Sequence, residues 1–333
     1  MTKSQNDART YYMNTNNSCP TIAKYGRNLN LLYLDGRIDR CYHRDDTITQ
    51  IQKILLRKNK ANIMLTGSAG CGKTAIVEGL AAVITERRIT FSDTYAKLKR
   101  KHSAAVKKWK KENADKAISE NSVPCPIFDD PPKPLLCDCV IYDVSLTALV
   151  GGTKYRGEFE ERIQRMIDEC RANPEVILFF DEMHHLCRIG ANEGCESAAQ
   201  MLKPALARKD IRVIGATTTE EKAYVAKDKA LARRFSEIEV QSLFGDVAAE
   251  TAKHILKDYC QFHNVHTDAS ADAILAQVQR LLPHTVFPDN FINVVDETLA
   301  GAVFEGRESI NITHFYAVLQ QKSGMSNHTE DQE

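Results

Sequence analysis

Two kinds of apolar patterning alternate along the chain. Short runs rich in β-branched and aliphatic residues, "NIMLTG" (Asn62 to Gly67), "CVIYDV" (Cys139 to Val144), "VILFFDE" (Val176 to Glu182), "IRVIGATTT" (Ile211 to Thr219) and "SEIEV" (Ser236 to Val240), read as buried strands. Between them, segments such as "TAIVEGLAAVI" and "GEFEERIQRMIDECRA" place apolar residues at helical spacing. Strands and helices in alternation predict an α/β domain built on a mainly parallel central sheet. After about residue 243 the strand pattern stops. "AAETAKHILKDYCQFH", "ADAILAQVQRLL" and "FINVVDETLAGAVF" then predict a small all-helical domain over 243–322. The ends, 1–25 and 323–333, are polar and read as flexible tails. No internal repeat is visible.

Composition fits a globular protein: 333 residues, 43% apolar and 26% charged, a length suited to roughly two ordinary domains. No run approaches the roughly 18 apolar residues that a membrane span needs, and "MTKSQNDART" lacks the apolar stretch of a signal peptide, so the expectation is a cytoplasmic protein without a membrane partner. The ten cysteines are spaced irregularly and are expected to be reduced. Cys125, Cys137 and Cys139 do not have the C-x2-C spacing of zinc ligand pairs. The zero net charge conceals an asymmetry, because Lys97 to Lys116 holds nine Lys or Arg against two acids.

The strongest chemical signal is "GSAGCGKT". It fits G-x-x-x-x-G-K-[ST] and lies where that pattern works, after a strand and at the start of a helix. Gly67, Ser68, Ala69, Gly70, Cys71, Gly72, Lys73 and Thr74 are therefore expected to bind a nucleotide triphosphate. The glycines let backbone N–H groups turn inward, and the helix N-terminus adds partial positive charge. Lys73 would reach the β and γ phosphates, and Thr74 would bind Mg²⁺. "VILFFDE" supplies the complementary half: Asp181 would hold Mg²⁺ through water, and Glu182 would polarise the attacking water. His184 and His185 follow, but helical neighbours point apart and no HExxH spacing exists, so solvated or packed histidines are expected there.

These strings, with "YGRNLNLLYLDGRID", "TKYRGEFEERI", "MLKPALAR", "IGATTTEE", "KDKALARRF" and "FPDNFINVVDE" in order, resemble the Clp-type AAA+ ATPases over most of residues 25 to 322. The resemblance is to the first ATPase module of the two-module unfoldases and disaggregases. It implies a P-loop AAA+ large domain over 26–242, with a helical lid after it, binding ATP and Mg²⁺ and hydrolysing ATP. It implies that Thr218 senses the γ-phosphate and that Arg233 and Arg234 are arginine fingers reaching the next subunit, hence a ring, the family form being a hexamer. It also implies that Lys154, Tyr155, Arg156 and Gly157 form a pore loop gripping protein substrates, which suits an aromatic between two cations and flanked by glycines.

The implied function is an ATP-dependent unfoldase that threads polypeptide through a central pore. The alternatives are a regulatory subunit that binds and modifies a larger Clp ring, with an adaptor as a further possible partner, or a nucleic-acid remodeller. The chain departs from the family at Tyr42 and His43, where an apolar residue and a glycine are usual near the adenine, and at Asn290, where a lysine is usual. The receptor domain, coiled-coil middle domain, second ATPase module and protease-docking loop are not recognisable, which implies a module standing alone. A basic insertion occupies about 87–136. Tyr95, Leu98, Ala105 and Trp109 form a narrow helical stripe in it, with His102 between, and "VPCPIFDDPPKPLL" returns as a Pro-rich connector. A solvated helix resting on the body is the first reading of this arm. A docking arm for an adaptor or substrate is the second, and a nucleic-acid contact the third, since no nucleic-acid module accompanies the cations.

Overall fold

The computed structural model describes residues 2–112, 127–151, 156–188 and 198–323. The five apolar runs form strands β2 (Asn62–Thr66), β3 (Val140–Val144), β4 (Val176–Phe180), β5 (Arg212–Thr217) and β6 (Phe235–Glu239), preceded by a three-residue strand β1 (Gly26–Asn28). The chain divides into two compact units.

The first unit comprises Met1–Asp39, Glu78–Phe179 and Pro204–Arg212. Its strands lie in the order β1-β3-β4. The β3 and β4 strands are parallel with Val140 opposite Val176, whereas β1 runs antiparallel to β3 with Gly26 opposite Val144. The amino-terminal segment corrects an expectation. Instead of a loose tail over 1–25, it forms helices Lys3–Ser18 and Pro20–Tyr25. Thr2 and Gln5 make a reciprocal capping box, and Ser4, Ala8, Tyr12 and Thr15 form a buried stripe at three- and four-residue spacing. The Arg88 guanidinium lies 3.4 Å from the Tyr11 ring centre, whose hydroxyl donates to Asp138 O at 2.9 Å. The Glu169 carboxylate accepts from Thr21 N and Ile22 N at 2.8 and 2.9 Å, closing the start of the second helix.

The basic insertion begins as an uninterrupted continuation of the helix that opens at the phosphate loop, Lys73–Glu112, 40 residues in all. The apolar stripe has a partner. Tyr95 meets Phe128 of the returning segment edge-on at 5.8 Å, and His102 lies 5.1 Å from the same ring. Ser4 Oγ also bonds Asp93, so the amino-terminal helix touches the base of the insertion.

The second unit comprises Arg40–Val77, Phe180–Lys203 and Val213–Glu333. Its strands lie in the order β5-β2-β6, all parallel, with Ile63 opposite Ile214 and Ser236. A neighbour on each side explains why every residue of β2 is buried. The same unit holds helices Gly245–His263, Ala271–Leu281, Asp289–Phe304 and Ile312–Lys322, which share one apolar cluster around Ile274, Val278, Phe291, Leu299 and Phe315. A two-residue parallel ladder, β7 (His266–Thr267) with β8 (Ser309–Ile310), departs from the all-helical expectation for this segment. The described cysteines are free thiols, most of them buried.

Candidate functional site

The site grows from the carboxyl end of β2, and all its residues described below belong to the second unit. Its glycines are required for different reasons. A Cβ on Gly67 would lie 2.3 Å from Val240 O, so only glycine lets the loop leave between β2 and the residue after β6. Gly70 has φ +77° and a virtual Cβ 2.7 Å from Asp289 Cβ, while Gly72 has φ +92°. Lys73 is 9% exposed, and its ammonium donates to Gly67 O at 2.9 Å and Ser68 O at 2.8 Å, inside its own loop. Arg44 braces the loop from outside, donating to Cys71 O and to Gln241 O, both at 2.8 Å. Burial lowers the pKa of this guanidinium.

The second half lies just beyond β4. Thr74 Oγ1 donates to Asp181 Oδ2 at 2.8 Å, and Asp181 Oδ1 accepts from Glu182 N at 2.9 Å. Glu182 sits at φ +50°, a left-handed conformation that costs a non-glycine residue of order 1–3 kcal/mol. The next residue is locked: Met183 N donates to Ala216 O at 2.7 Å, and a Cβ on Gly215 would fall 2.1 Å from Met183 Sδ. The Glu182 side chain is 70% exposed, with its carboxylate 3.3 Å from His185 Nε2. The paired hydroxyl and carboxylate oxygens are the hard donors that Mg²⁺ selects, so these residues fit that ion.

The end of β5 provides the third part. Thr218 Oγ1 donates to Glu221 Oε2 at 2.8 Å and accepts from Glu221 N at 3.2 Å. His184 is buried, with Nδ1 3.2 Å from the same Glu221 carboxylate and 3.4 Å from Thr217 Oγ1. It is thus packed, and His185 is partly exposed. The two arginines differ. Asp228 caps the short helix Lys229–Ala232 and is paired with Lys203, and Arg233 follows that helix with its side chain exposed. Arg234 is half-buried and donates to Ala230 O.

At the positions where the sequence departs from the family, Tyr42 stacks on His254 and His43 lies beside Glu250. Asn290 is buried; its amide donates to Thr285 Oγ1 at 3.1 Å, and its Oδ1 has no hydrogen-bond partner.

Of the other expected residues, Lys154 and Tyr155 lie outside the described residues. Arg156 opens the helix Arg156–Ala172, and Gly157 has open space where a Cβ would stand. In that first unit Arg162 donates to Leu149 O at 2.8 Å and Gly151 O at 2.9 Å, bracing the chain just before this motif. Sequence reasoning missed Arg162, Glu221, Asp228, Asp289 and the bracing contacts of Arg44. Two of these carried a local signal: Glu221, at the T-x-x-E spacing of a capping box with Thr218, and Asp228, an acidic residue just before a helical run.

The family model "ATPase family associated with various cellular activities (AAA)" matches residues 63–246. The chaperone protein ClpB of Aquifex aeolicus is 35% identical over 281 residues, covering 84% of this chain and 24% of that protein. The chloroplastic chaperone protein ClpC1 of Arabidopsis thaliana is 34% identical over 285 residues, covering 85% of this chain and 26% of that protein. Among solved structures, the Saccharomyces cerevisiae Hsp104:casein complex in its extended conformation has a TM-score of 0.67 at 27% identity, covering 91% of this chain and 45% of that one. The chain spans about a quarter of the length of these curated relatives.

Proposed function

The chain belongs to the AAA family of ATPases, as a Clp-type module, and on that premise we propose that it uses ATP hydrolysis to pull extended polypeptide through the channel of a homo-hexameric ring. The observation that carries the hydrolytic half is the 2.8 Å hydrogen bond between Thr74 and Asp181, which brings a phosphate loop and an acidic strand end together beside Glu182. In this reading the loop amides and Lys73 bind the phosphates, and Thr74 and Asp181 hold Mg²⁺. The ion, when bound, neutralises charge on the β and γ phosphates. Glu182 orients and deprotonates the attacking water, Thr218 contacts the γ-phosphate, and Arg233 and Arg234 serve the neighbouring subunit's nucleotide.

The polypeptide half is supported by similarity to ClpB and ClpC chaperones and to an Hsp104 structure that holds casein. In this proposal Tyr155, flanked by Lys154 and Arg156 and followed by Gly157, packs against any backbone or side chain without needing a sequence match. Residues 26–242 act as the nucleotide-binding domain and 243–322 as its lid, in the cytoplasm. Among the described residues no helix is long and apolar enough to cross a membrane.

Electron microscopy with ATP, together with an unfolding assay on a tagged fluorescent protein, tests the proposal. Rings and ATP-dependent loss of substrate fluorescence are expected. Rings that hydrolyse ATP without unfolding anything would favour a regulatory subunit of a larger Clp ring, and stimulation by DNA rather than by unfolded protein would favour a nucleic-acid remodeller.

A further inference from the structure

Glu250, His254 and Asp258 follow one another at four-residue spacing on the helix Gly245–His263, so they share one face. That face meets Tyr42 and His43. The Tyr42 ring stacks on His254 with centroids 4.6 Å apart and planes 9° from parallel, and its hydroxyl donates to Asp258 Oδ2 at 2.5 Å. His43 Nε2 lies 3.8 Å from Glu250 Oε2, and one ligand-type atom from each of His43, Glu250 and His254 lies within 4.8 Å of the other two.

We propose that His43, Glu250 and His254 form a binding site for a divalent transition-metal cation of the zinc class. Zinc takes imidazole nitrogen and carboxylate oxygen at about 2.0–2.2 Å, so ligand atoms around a tetrahedral ion stand roughly 3.3–3.6 Å apart. The His43–Glu250 pair stands at 3.8 Å and all three atoms lie within 4.8 Å of one another, so rotation of the exposed Glu250 and His43 side chains would bring them to that spacing. Two imidazoles and one carboxylate suit Zn²⁺, Cu²⁺ or Ni²⁺, whereas Mg²⁺ and Ca²⁺ prefer all-oxygen sets. The site is therefore chemically separate from the Thr74 and Asp181 pair. Three protein ligands leave a fourth position for water or an exogenous ligand.

Two features pre-organise the site. Tyr42 fixes the His254 ring plane by stacking. His43 holds φ +53°, a conformation rarely adopted by residues with a Cβ, and with it the imidazole stands opposite Glu250. An ion here would fasten the helix Gly245–His263 to the residue preceding Arg44, whose guanidinium braces Cys71 of the phosphate loop.

The full chain, expressed without a histidine tag, stripped with chelator and kept in excess Mg²⁺, is titrated with Co²⁺ by visible absorption and with Zn²⁺ by calorimetry and by competition against bound Co²⁺. One equivalent with the absorption of a low-coordinate Co²⁺ site is expected. Glu250→Gln and His254→Ala should each weaken Zn²⁺ at least tenfold, since even outer-shell losses cost about 10–100-fold. His43→Gly suits the positive φ, so it preserves the fold while removing a ligand, and should weaken Zn²⁺ equally. His284→Ala, on an exposed histidine elsewhere, should bind as the parent does. The absence of saturable one-equivalent binding overturns the site, and so does unchanged Zn²⁺ affinity in His43→Gly and Glu250→Gln. ATPase rates are not the readout, so the outcome stands apart from that of the unfolding assay.

Discussion

Thr74 and Asp181 share a hydrogen bond of 2.8 Å, which joins the first turn of the phosphate-loop helix to the residue that follows β4. An Asp181→Asn substitution leaves one amide oxygen for the two bonds that the carboxylate accepts, from Thr74 Oγ1 and Glu182 N, and removes the charge proposed to hold a cation. Folding stability in chelator should fall by about 0.5–1.5 kcal/mol, the usual net worth of one hydrogen bond. Mg²⁺-dependent hydrolysis should fall sharply. Thermal unfolding with and without Mg²⁺ and ATP checks both: the parent should be stabilised by the pair and the variant hardly at all.

Lys73 and Glu182 should separate binding from turnover. Lys73→Ala removes the loop's cation and also the two bonds to Gly67 O and Ser68 O, so nucleotide binding should be lost. Glu182→Gln should bind ATP normally and hydrolyse it about 10²–10⁴-fold more slowly, the usual range for loss of a general base. Fluorescent-nucleotide titration beside a phosphate-release assay reads the two outcomes. Hydrolysis at the parent rate by Glu182→Gln would remove Glu182 from the role given to it.

The arginines should be unequal. Arg233 is exposed, whereas Arg234 is half-buried and tied back to Ala230 O. Arg233→Ala should therefore bind ATP yet lose most of its turnover with stability unchanged, while Arg234→Ala should lose turnover and lower stability as well. Mixing an Arg233→Ala, Arg234→Ala double variant with Lys73→Ala should restore part of the activity, because mixed rings contain interfaces with an intact loop and an intact finger. Mixed rings without any recovery would argue against fingers acting between subunits.

Legibility in the sequence followed chain distance. The β2, β4 and β5 strands were evident because buried central strands carry consecutive apolar residues, Ile63, Met64 and Leu65 in β2, Val176–Phe180 in β4, and Val213 and Ile214 in β5, and the phosphate loop and the Asp181–Glu182 pair because their residues are contiguous. The β1 strand was not, since Gly26, Arg27 and Asn28 have no strand pattern and pair only because Val144, Asp143 and Tyr142 lie opposite. The amino-terminal helices were hidden by polarity: Ala8 and Tyr12 are the only clearly apolar members of a stripe that includes Ser4 and Thr15. Asp289 against Gly70, and Arg44 against Cys71, join residues well separated in sequence, and no local spacing announces such contacts.

Deleting residues 92–134 behind a short Gly-Ser bridge should leave basal ATPase largely intact, because the phosphate loop, Glu182 and the two arginines all lie outside the deletion. The deletion removes the contact of Asp93 with Ser4 and of Tyr95 with Phe128, so a modest fall in thermal stability is expected. Choice of partner or substrate should change. Loss of ATPase in a folded, ring-forming deletion variant would make the arm part of the hydrolytic machinery.

Tyr155→Ala should keep ATPase and ring formation near normal and lose unfolding of a tagged substrate, which single-turnover fluorescence would detect. Full unfolding by this variant would remove Tyr155 from the gripping role.

The crowding at Gly70 has a mechanical consequence. The space between this glycine and Asp289 is too small for a methyl group, and Asp289 begins a 16-residue helix that ends at Phe304. At about 1.5 Å per residue that helix is a strut roughly 24 Å long. Its far end carries an aromatic ring that is 93% exposed. When a nucleotide settles in the loop, either the strut moves with Gly70 or the contact opens. If the strut moves, its displacement carries to the exposed phenyl ring at the far end; if the contact opens, that ring stays where it is.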